Sequence, residues 1–393
     1  MPRCRARIPK DPVSDIFPPL PSNRPSPEER EALHREQRRT AIARGIGWML
    51  LSGAVVGALL LGSAPAPYVI EKPGPVYDTL GEVLIDGEAV PLIDIEGAET
   101  YPTSGELDLL TVRIQGNPTS QPSWIDIATA WFEPSSAVVP IEAVYPEGQS
   151  TEEAQEQSAI EMQNSQQETV AAALNELDIE YAGVVDVAAV QEGTPAEGVF
   201  QAGDEILAAA GVATPDVSAL RARIGENGAE SPMSFLIRRD GVEQEVTVTP
   251  TLAEDGATPV IGVIVSGTYE FPIDVSIQLS SVGGPSAGMM FALGIFDKLT
   301  PGELTGGEHI AGTGTITADG TVGAIGGIQQ KMYGALEAGA EWFLAPADNC
   351  DEVVENTPDG LEVFKVVTLD DALEAVEAIG AGADTSDLAR CEP

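Results

Sequence analysis

The sequence predicts an α+β protein of several segments. Three observations carry that prediction: runs alternating apolar with polar residues, stretches that switch to a helical period, and one long apolar run ahead of both. The alternating runs include 109–114, 233–239 and 242–248, and the helical ones include 150–177, the ten residues after Asp216, and the segment after Ser286. At 393 residues the chain is long enough for two or three domains, each burying a core of its own.

The apolar run, residues 45–66, holds no charged residue, and about 20 such residues cross a hydrocarbon core. Arg35, Arg38, Arg39 and Arg44 precede it, so the positive-inside rule predicts a single transmembrane helix with a short cytoplasmic N-terminus and extracytoplasmic remainder. Ala64-Pro65-Ala66 also reads as a signal-peptide cleavage site, but the 44 residues ahead of the run and Pro67 behind it favour an uncleaved anchor. Residues 1–44 are rich in proline and basic, and predict a disordered tail. They hold ten Lys and Arg against six Asp and Glu; the remainder holds ten against 56, a surface that repels nucleic acid. On this topology Cys350 and Cys391 share an oxidising side and either pair or stay as two free thiols, while Cys4 stands apart.

Residues 150–177 open on a capping-box pattern, Ser150 to Glu153, and read as a helix with a break near Asn164. From Tyr181 the pattern turns to strands, and Asp240-Gly241 between two alternating runs marks a hairpin. Three motifs follow one another: Ala182-Gly183-Val184, Gly193-Thr194-Pro195-Ala196, and the run Gln201-Ala202-Gly203-Asp204-Glu205-Ile206-Leu207. Together they resemble a bacterial PDZ domain. The resemblance implies a peptide added as a strand beside residues 181–187 and the helix at 217–224, with Ala182, Gly183 and Val184 holding its end. A PDZ fold that only packs against its neighbour is the plainer reading.

Further on, Gly283-Gly284-Pro285-Ser286-Ala287-Gly288 packs small residues around a serine at the mouth of a helix. Such a serine is either an N-cap or a nucleophile served by the same free N–H groups. A predicted hairpin follows, residues 311–317 and 321–325 around Asp319-Gly320, and then Gly326-Gly327 leads into a helix carrying Lys331. Lys331 lies among Ile325, Ile328, Met332 and Ala335, and burial of that kind favours the neutral amine a serine needs as its base. His309 is the other base to weigh, since the chain's second histidine, His34, lies before the apolar run. The motifs P-S-A-G, T-G-x-I-T-x-x-G-x-V-x-x-I-G-G and the lysine four residues later resemble the proteolytic domain of the Lon family over residues 260–380. That resemblance implies Ser286 as nucleophile, Lys331 as its partner and Thr313 near the lysine, with backbone N–H groups of Gly284, Ser286 and Ala287 at the oxyanion.

The expected architecture is a Lon-type proteolytic domain with an inserted PDZ-like β-rich domain behind one transmembrane helix, a class known among membrane-anchored bacterial proteins. Its segments are a tail at 1–44, the anchor at 45–66, associated strands and helix at 67–166, the PDZ-like domain at 167–252, the proteolytic domain at 253–380, and a tail at 381–393. The expected activity is that of a serine endopeptidase acting on extracytoplasmic polypeptides without ATP, because G-x-x-x-x-G-K-[ST] is missing from the sequence. No cofactor or metal is expected, although so acidic a chain leaves a carboxylate-bound calcium open; a homo-oligomer is compatible with all of this. Two rivals are a non-catalytic PDZ scaffold on a protease-like fold and a signal-peptidase-like enzyme. The latter wants its serine near the membrane, and Ser286 lies about 220 residues past the apolar run.

Overall fold

The computed structural model describes residues 38, 44, 46, 48–53, 55–57, 62–85, 87–146, 151–253, 256–279 and 282–392. The chain divides into two compact units, residues 1–64 and 65–393. Of the first, the described residues 38, 44, 46, 48–53, 55–57 and 62 are helical, and the rest of the expected tail, with Cys4, lies outside the described residues. The transmembrane helix expected over 45–66 is corrected here: among the described residues, no helix is long and apolar enough to cross a membrane. A span requires about 20 consecutive apolar residues in one helix. The single-pass topology, the membrane partner and the cytoplasmic and extracytoplasmic placement drawn from that run therefore have no such helix to rest on.

The second unit opens with β1 (Tyr68–Asp78), the antiparallel pair β2 (Glu82–Ile85) and β3 (Glu88–Pro91), then β4 (Ile93–Glu96) and β5 (Glu106–Gln115). Next come α1 (Trp124–Ala130), β6 (Ala137–Pro140), α2 (Ile141–Val144) and α3 (Thr151–Glu176). A β-rich stretch follows: β7 (Ala182–Val190), β8 (Glu205–Ala209), β9 (Val212–Ala213), α4 (Val217–Asn227), β10 (Met233–Arg239) and β11 (Val242–Val248). It continues through β12 (Thr251–Leu252), β13 (Pro259–Val260) and β14 (Val263–Glu270). The last part holds β15 (Asp274–Ile277), α5 (Gly288–Leu299), β16 (His309–Gly312), β17 (Thr315–Ile316), β18 (Val322–Gly323) and α6 (Ile328–Ala338). It ends with β19 (Trp342–Pro346), α7 (Cys350–Asn356), β20 (Glu362–Val366) and α8 (Leu369–Gly380).

One six-stranded sheet runs β20-β19-β16-β5-β1-β6, parallel from β20 to β5 and antiparallel beyond. Its central strands bury residues on both faces, because helices cover the sheet on each side. Leu107, Leu109, Leu344 and Phe364 pack against α5 and α8 on one face, whereas Leu110, Ala311 and Phe343 meet α6 and α7 on the other. Helix α5 is apolar nearly all round because the sheet covers one side and α3 another. Helix α8 starts at a capping box in which Thr368 and Asp371 satisfy each other's backbone N–H groups.

A second sheet, β11-β10-β8-β7-β14 with β9 on β8, surrounds a separate core of Val185, Ile206, Leu220, Phe235 and Ile237. Its hairpin turns at Asp240 and Gly241, both at positive φ as expected, pairing Arg239 with Val242. The strand completing this sheet, β14, comes after residue 252, where the β-rich segment was expected to end. Two further expectations are revised. Helix α3 runs unbroken through Asn164, while Ser150 lies outside the described residues. The strand expected over 311–317 splits at Thr313: β16 joins the main sheet, and only Thr315–Ile316 pairs with Val322–Gly323. The split has a local cause, since the Thr313 N–H donates to Leu344 O and the Gly314 N–H to Ser286 O.

Candidate active site

The turn holding Ser286 forms where strand gives way to α5. Gly284 sits at φ +86°, a conformation that favours glycine, and its N–H donates to the Ser158 carbonyl. Ser286 does not cap the helix: Ala287 occupies the N-cap position, with no side-chain cap bond. The serine Oγ lies 2.8 Å from Lys331 Nζ, and that amine lies 2.8 Å from Thr313 Oγ1. The Thr313 hydroxyl in turn donates to Ser286 O. Lys331 reaches this point from α6, one turn after Gly327, and Thr313 from the end of β16.

Lys331 is 2 % exposed and has no carboxylate partner, so burial alone drives its pKa down to about 7. Near neutrality a large share of this amine is uncharged and able to accept a proton. The serine, lysine and Leu109, Leu110, Met162 and Val282 line a cleft of about 460 Å³. The N–H groups of Ser286 and Ala287 donate to no backbone carbonyl among the described residues, whereas that of Gly284 is taken by Ser158. Of the three expected oxyanion donors, Gly284 is therefore committed elsewhere.

Other bases of the second unit lie apart from this group. Lys72 pairs with Glu133 at 2.9 Å, and Lys298 reaches the Leu80 carbonyl at 3.4 Å. His309 Nε2 lies 2.7 Å from Asp108 Oδ2 and 3.3 Å from Glu106 Oε2, not against the serine. Burial raises the Asp108 pKa, and the hydrogen bond and charge of His309 offset part of that rise. Glu106, Asp108 and His309 bring ligand atoms within 4.8 Å of one another, close enough to hold a metal ion. Sequence reasoning, which expected no metal, missed this cluster because β5 and β16 pair across some 200 residues. Cys350 and Cys391 form a disulfide with Cα atoms 5.0 Å apart, which ties the C-terminal segment to α7.

In the second sheet, Ala182, Gly183 and Val184 lie on β7, paired with Glu270, Tyr269 and Thr268 of β14. A Cβ at Gly183 would come within 2.1 Å of Pro215 O, so the chain packs closely against the face of β7 there, and strand order sets β7 between β8 and β14. Strand β14 forms one edge of this sheet, beside α4. A second hydrophobic-Gly-hydrophobic pattern, Ile261-Gly262-Val263, opens it, with Gly262 at φ +85° against the Thr194 side chain. This signal was legible in the sequence. The Gly203-Asp204 motif serves the fold: Arg239 grips both carboxylate oxygens of Asp204 at 2.6 Å.

Comparison with known proteins separates two segments. Residues 278–378 match the family model of the Lon protease (S16) C-terminal proteolytic domain, and residues 159–249 match that of the PDZ domain. The Lon protease of Clostridioides difficile is 38% identical over 94 residues, 23% of this chain and 12% of that protein. Lon protease 1 of Sorangium cellulosum is 42% identical over 93 residues, 23% of this chain and 11% of that protein. The Lon protease of Phenylobacterium zucineum is 30% identical over 178 residues, 44% of this chain and 21% of that protein. The chain thus spans between 11% and 21% of the length of these relatives. Among solved structures, the PDZ domain of an SdrC-like protein from Listeria monocytogenes is 23% identical, covering 22% of this chain and 90% of that one at a TM-score of 0.21.

The chain therefore carries a Lon-type proteolytic domain and a PDZ domain, and its homology to Lon proteases supports assignment to the protease and hydrolase superfamily. The membrane-anchored endopeptidase expected from the sequence is corrected on its anchor, for want of a described spanning helix, and the Glu106, Asp108 and His309 cluster was not part of that expectation.

Proposed function

We propose that this protein is a serine peptidase in which Ser286 attacks and Lys331 is the base. The observation that carries the reading is the 2.8 Å approach of Ser286 Oγ to a buried lysine amine that has no counter-ion. In the proposed step the serine Oγ forms a bond to the scissile carbonyl carbon as its proton passes to neutral Lys331 Nζ. The negative charge on the carbonyl oxygen is met by the N–H groups of Ser286 and Ala287. When the tetrahedral intermediate collapses, the C–N bond breaks and Lys331 returns the proton to the leaving amine. Water, deprotonated by the same lysine, then releases the acyl group. Thr313 accepts one amine hydrogen and so turns the nitrogen lone pair toward the serine.

The cleft fits an extended, flexible polypeptide. Strand β16 leaves β5 at Leu109, and from Leu110 onward β5 has no strand on that side among the described residues. A substrate laid along this edge would pair with backbone at Leu110 to Val112 while an apolar side chain enters beside Met162 and Val282. The PDZ module offers a second strand edge on β14, where a peptide would lie between Val263 to Thr268 and α4.

The test is peptide profiling by mass spectrometry on a proteome-derived library with wild type beside Ser286→Ala. The expected outcome is a set of products formed by wild type alone. Identical product patterns from the two proteins would end the peptidase reading.

A further inference from the structure

Helix α3 touches the nucleophile turn at three places. The Ser158 carbonyl accepts the Gly284 N–H at 3.0 Å, Ser165 Oγ donates to Pro285 O at 3.1 Å, and Thr169 Oγ1 donates to Gly288 O at 3.2 Å. Spacings of seven and four residues put these groups on one helical face. A trans peptide unit is planar, so its C=O and the N–H that follows point in opposite directions. Holding Pro285 O against Ser165 therefore turns the Ser286 N–H away from α3. Ser286 O is held by Thr313 Oγ1 and the Gly314 N–H, both at 2.9 Å, which turns the Ala287 N–H away from them in the same manner.

The same helix is fixed to two other parts of the molecule. Glu168 accepts from Tyr269 Oη and from the Ala318 N–H, each at 2.7 Å. Asn175 Nδ2 donates to Ala318 O at 2.7 Å, so both sides of Ala318 in the β17–β18 hairpin are held. Tyr269 belongs to β14, an edge strand of the second sheet, and stacks on Phe271 and edge-on to Tyr181. One residue of α3 thus binds the PDZ strand and the hairpin, and its neighbours three residues before and one after bind the catalytic turn.

We infer that α3 is the positioning element of the Ser286 site, with Ser165 holding the Ser286 N–H in place as an oxyanion donor and the Glu168–Tyr269 bond tying that alignment to the β14 edge of the PDZ sheet. The inference rests on the reading of Ser286 as the nucleophile. It assigns Ser165, Glu168 and Tyr269 as positioning residues, since none of them lines the cleft. A donor held in place before the reaction stabilises charge only as that charge develops, so its loss appears in kcat and not in KM. A purely structural role would lower stability and leave turnover per folded molecule unchanged.

The experiment measures kcat and KM separately in the full chain, using the best-cleaved peptide from the library for wild type, Ser165→Ala, Ser165→Thr and Tyr269→Phe. Removing a whole donor costs about a hundredfold or more, so loosening one is expected to cost about tenfold. Ser165→Ala should lower kcat by that factor with KM within about twofold, and Ser165→Thr, which keeps the hydroxyl, should recover most of it. Tyr269→Phe should lower kcat about threefold at unchanged KM, and it carries the test should Ser165→Ala not fold. Wild-type kcat in both Ser165→Ala and Tyr269→Phe, or losses confined to KM, would overturn the inference. Cleavage persisting in Ser286→Ala is a different result and would overturn the peptidase reading beneath it.

Discussion

Two buried charges, one beside each sheet, show how the same burial yields opposite roles. Lys331 beside the main sheet is 2 % exposed, and Asp204 in the PDZ sheet is 1 % exposed. Lys331 meets two hydroxyls and no carboxylate, so burial lowers its pKa to about 7 and its proton becomes transferable. Burial pushes Asp204 upward too, but the hydrogen bonds and charge of Arg239 and the Gln201 N–H outweigh it and hold the carboxyl below its ordinary range. A buried charge given a geometrically matched counter-ion becomes part of the scaffold. Left with neutral partners, it is free to take and give a proton, the role proposed for Lys331.

The largest effect expected from this contrast is on turnover. Lys331→Met should lower kcat/KM about a thousandfold or more, checked on the peptide cleaved by wild type, because serine loses its only adjacent base. The same variant reports on stability. With a folded pKa near 7 against an ordinary value of 10.5, the unfolded chain binds more protons between those limits, so stability rises with pH across that window. At pH 7 and below the buried amine costs about 5 kcal/mol by this linkage. Urea unfolding at pH 6 and pH 9 should therefore show a pH-dependent gap between wild type and Lys331→Met that narrows at pH 9. Activity of the wild type should climb as pH passes about 7, with no such climb in residual Lys331→Met turnover.

Arg239→Met tests the other half of the comparison by leaving Asp204 buried and unpaired. A destabilisation of about 3 to 5 kcal/mol is expected in denaturant melts, with Asp204→Asn on top of it restoring a part. Next in size is the disulfide across 41 residues: serine at both Cys350 and Cys391 should cost about 4 kcal/mol on the chain-entropy account, measured by urea unfolding. The smallest effect belongs to Lys298→Met. Its half-buried amine is also pushed down by burial, yet it faces Leu80 O and Asp78, so kcat/KM should stay within about twofold of wild type. A large loss there would break the claim that placement beside the serine, not burial alone, makes the base.

Much of the second unit was legible from local chemistry. Asp240-Gly241 can adopt the two positive φ values of a tight hairpin, and the small residues around Ser286 fit a turn at the mouth of a helix. The apolar run at 45–66 led to an expected span, yet among the described residues no helix is long and apolar enough to cross a membrane, since hydropathy counts residues and not helix length. At the PDZ sheet, Gly183 and Gly262 both sit in hydrophobic-Gly-hydrophobic patterns, and only strand order shows that the first lies on an inner strand and the second at an edge.

By itself the sequence determined several helices and strands, the Asp240-Gly241 hairpin turn and the residue types gathered around Ser286 and Lys331, since period, φ preference and motif spacing act over a few neighbours. Tertiary structure alone decided which groups meet: Lys331 with Ser286 across 45 positions, Ser165 with Pro285 across 120, Glu168 with Tyr269 across 101, and His309 with Asp108 across 201. The reason is physical. Hydrogen bonds and desolvation depend on distances of a few ångströms, and strand pairing sets those distances without regard to separation along the chain.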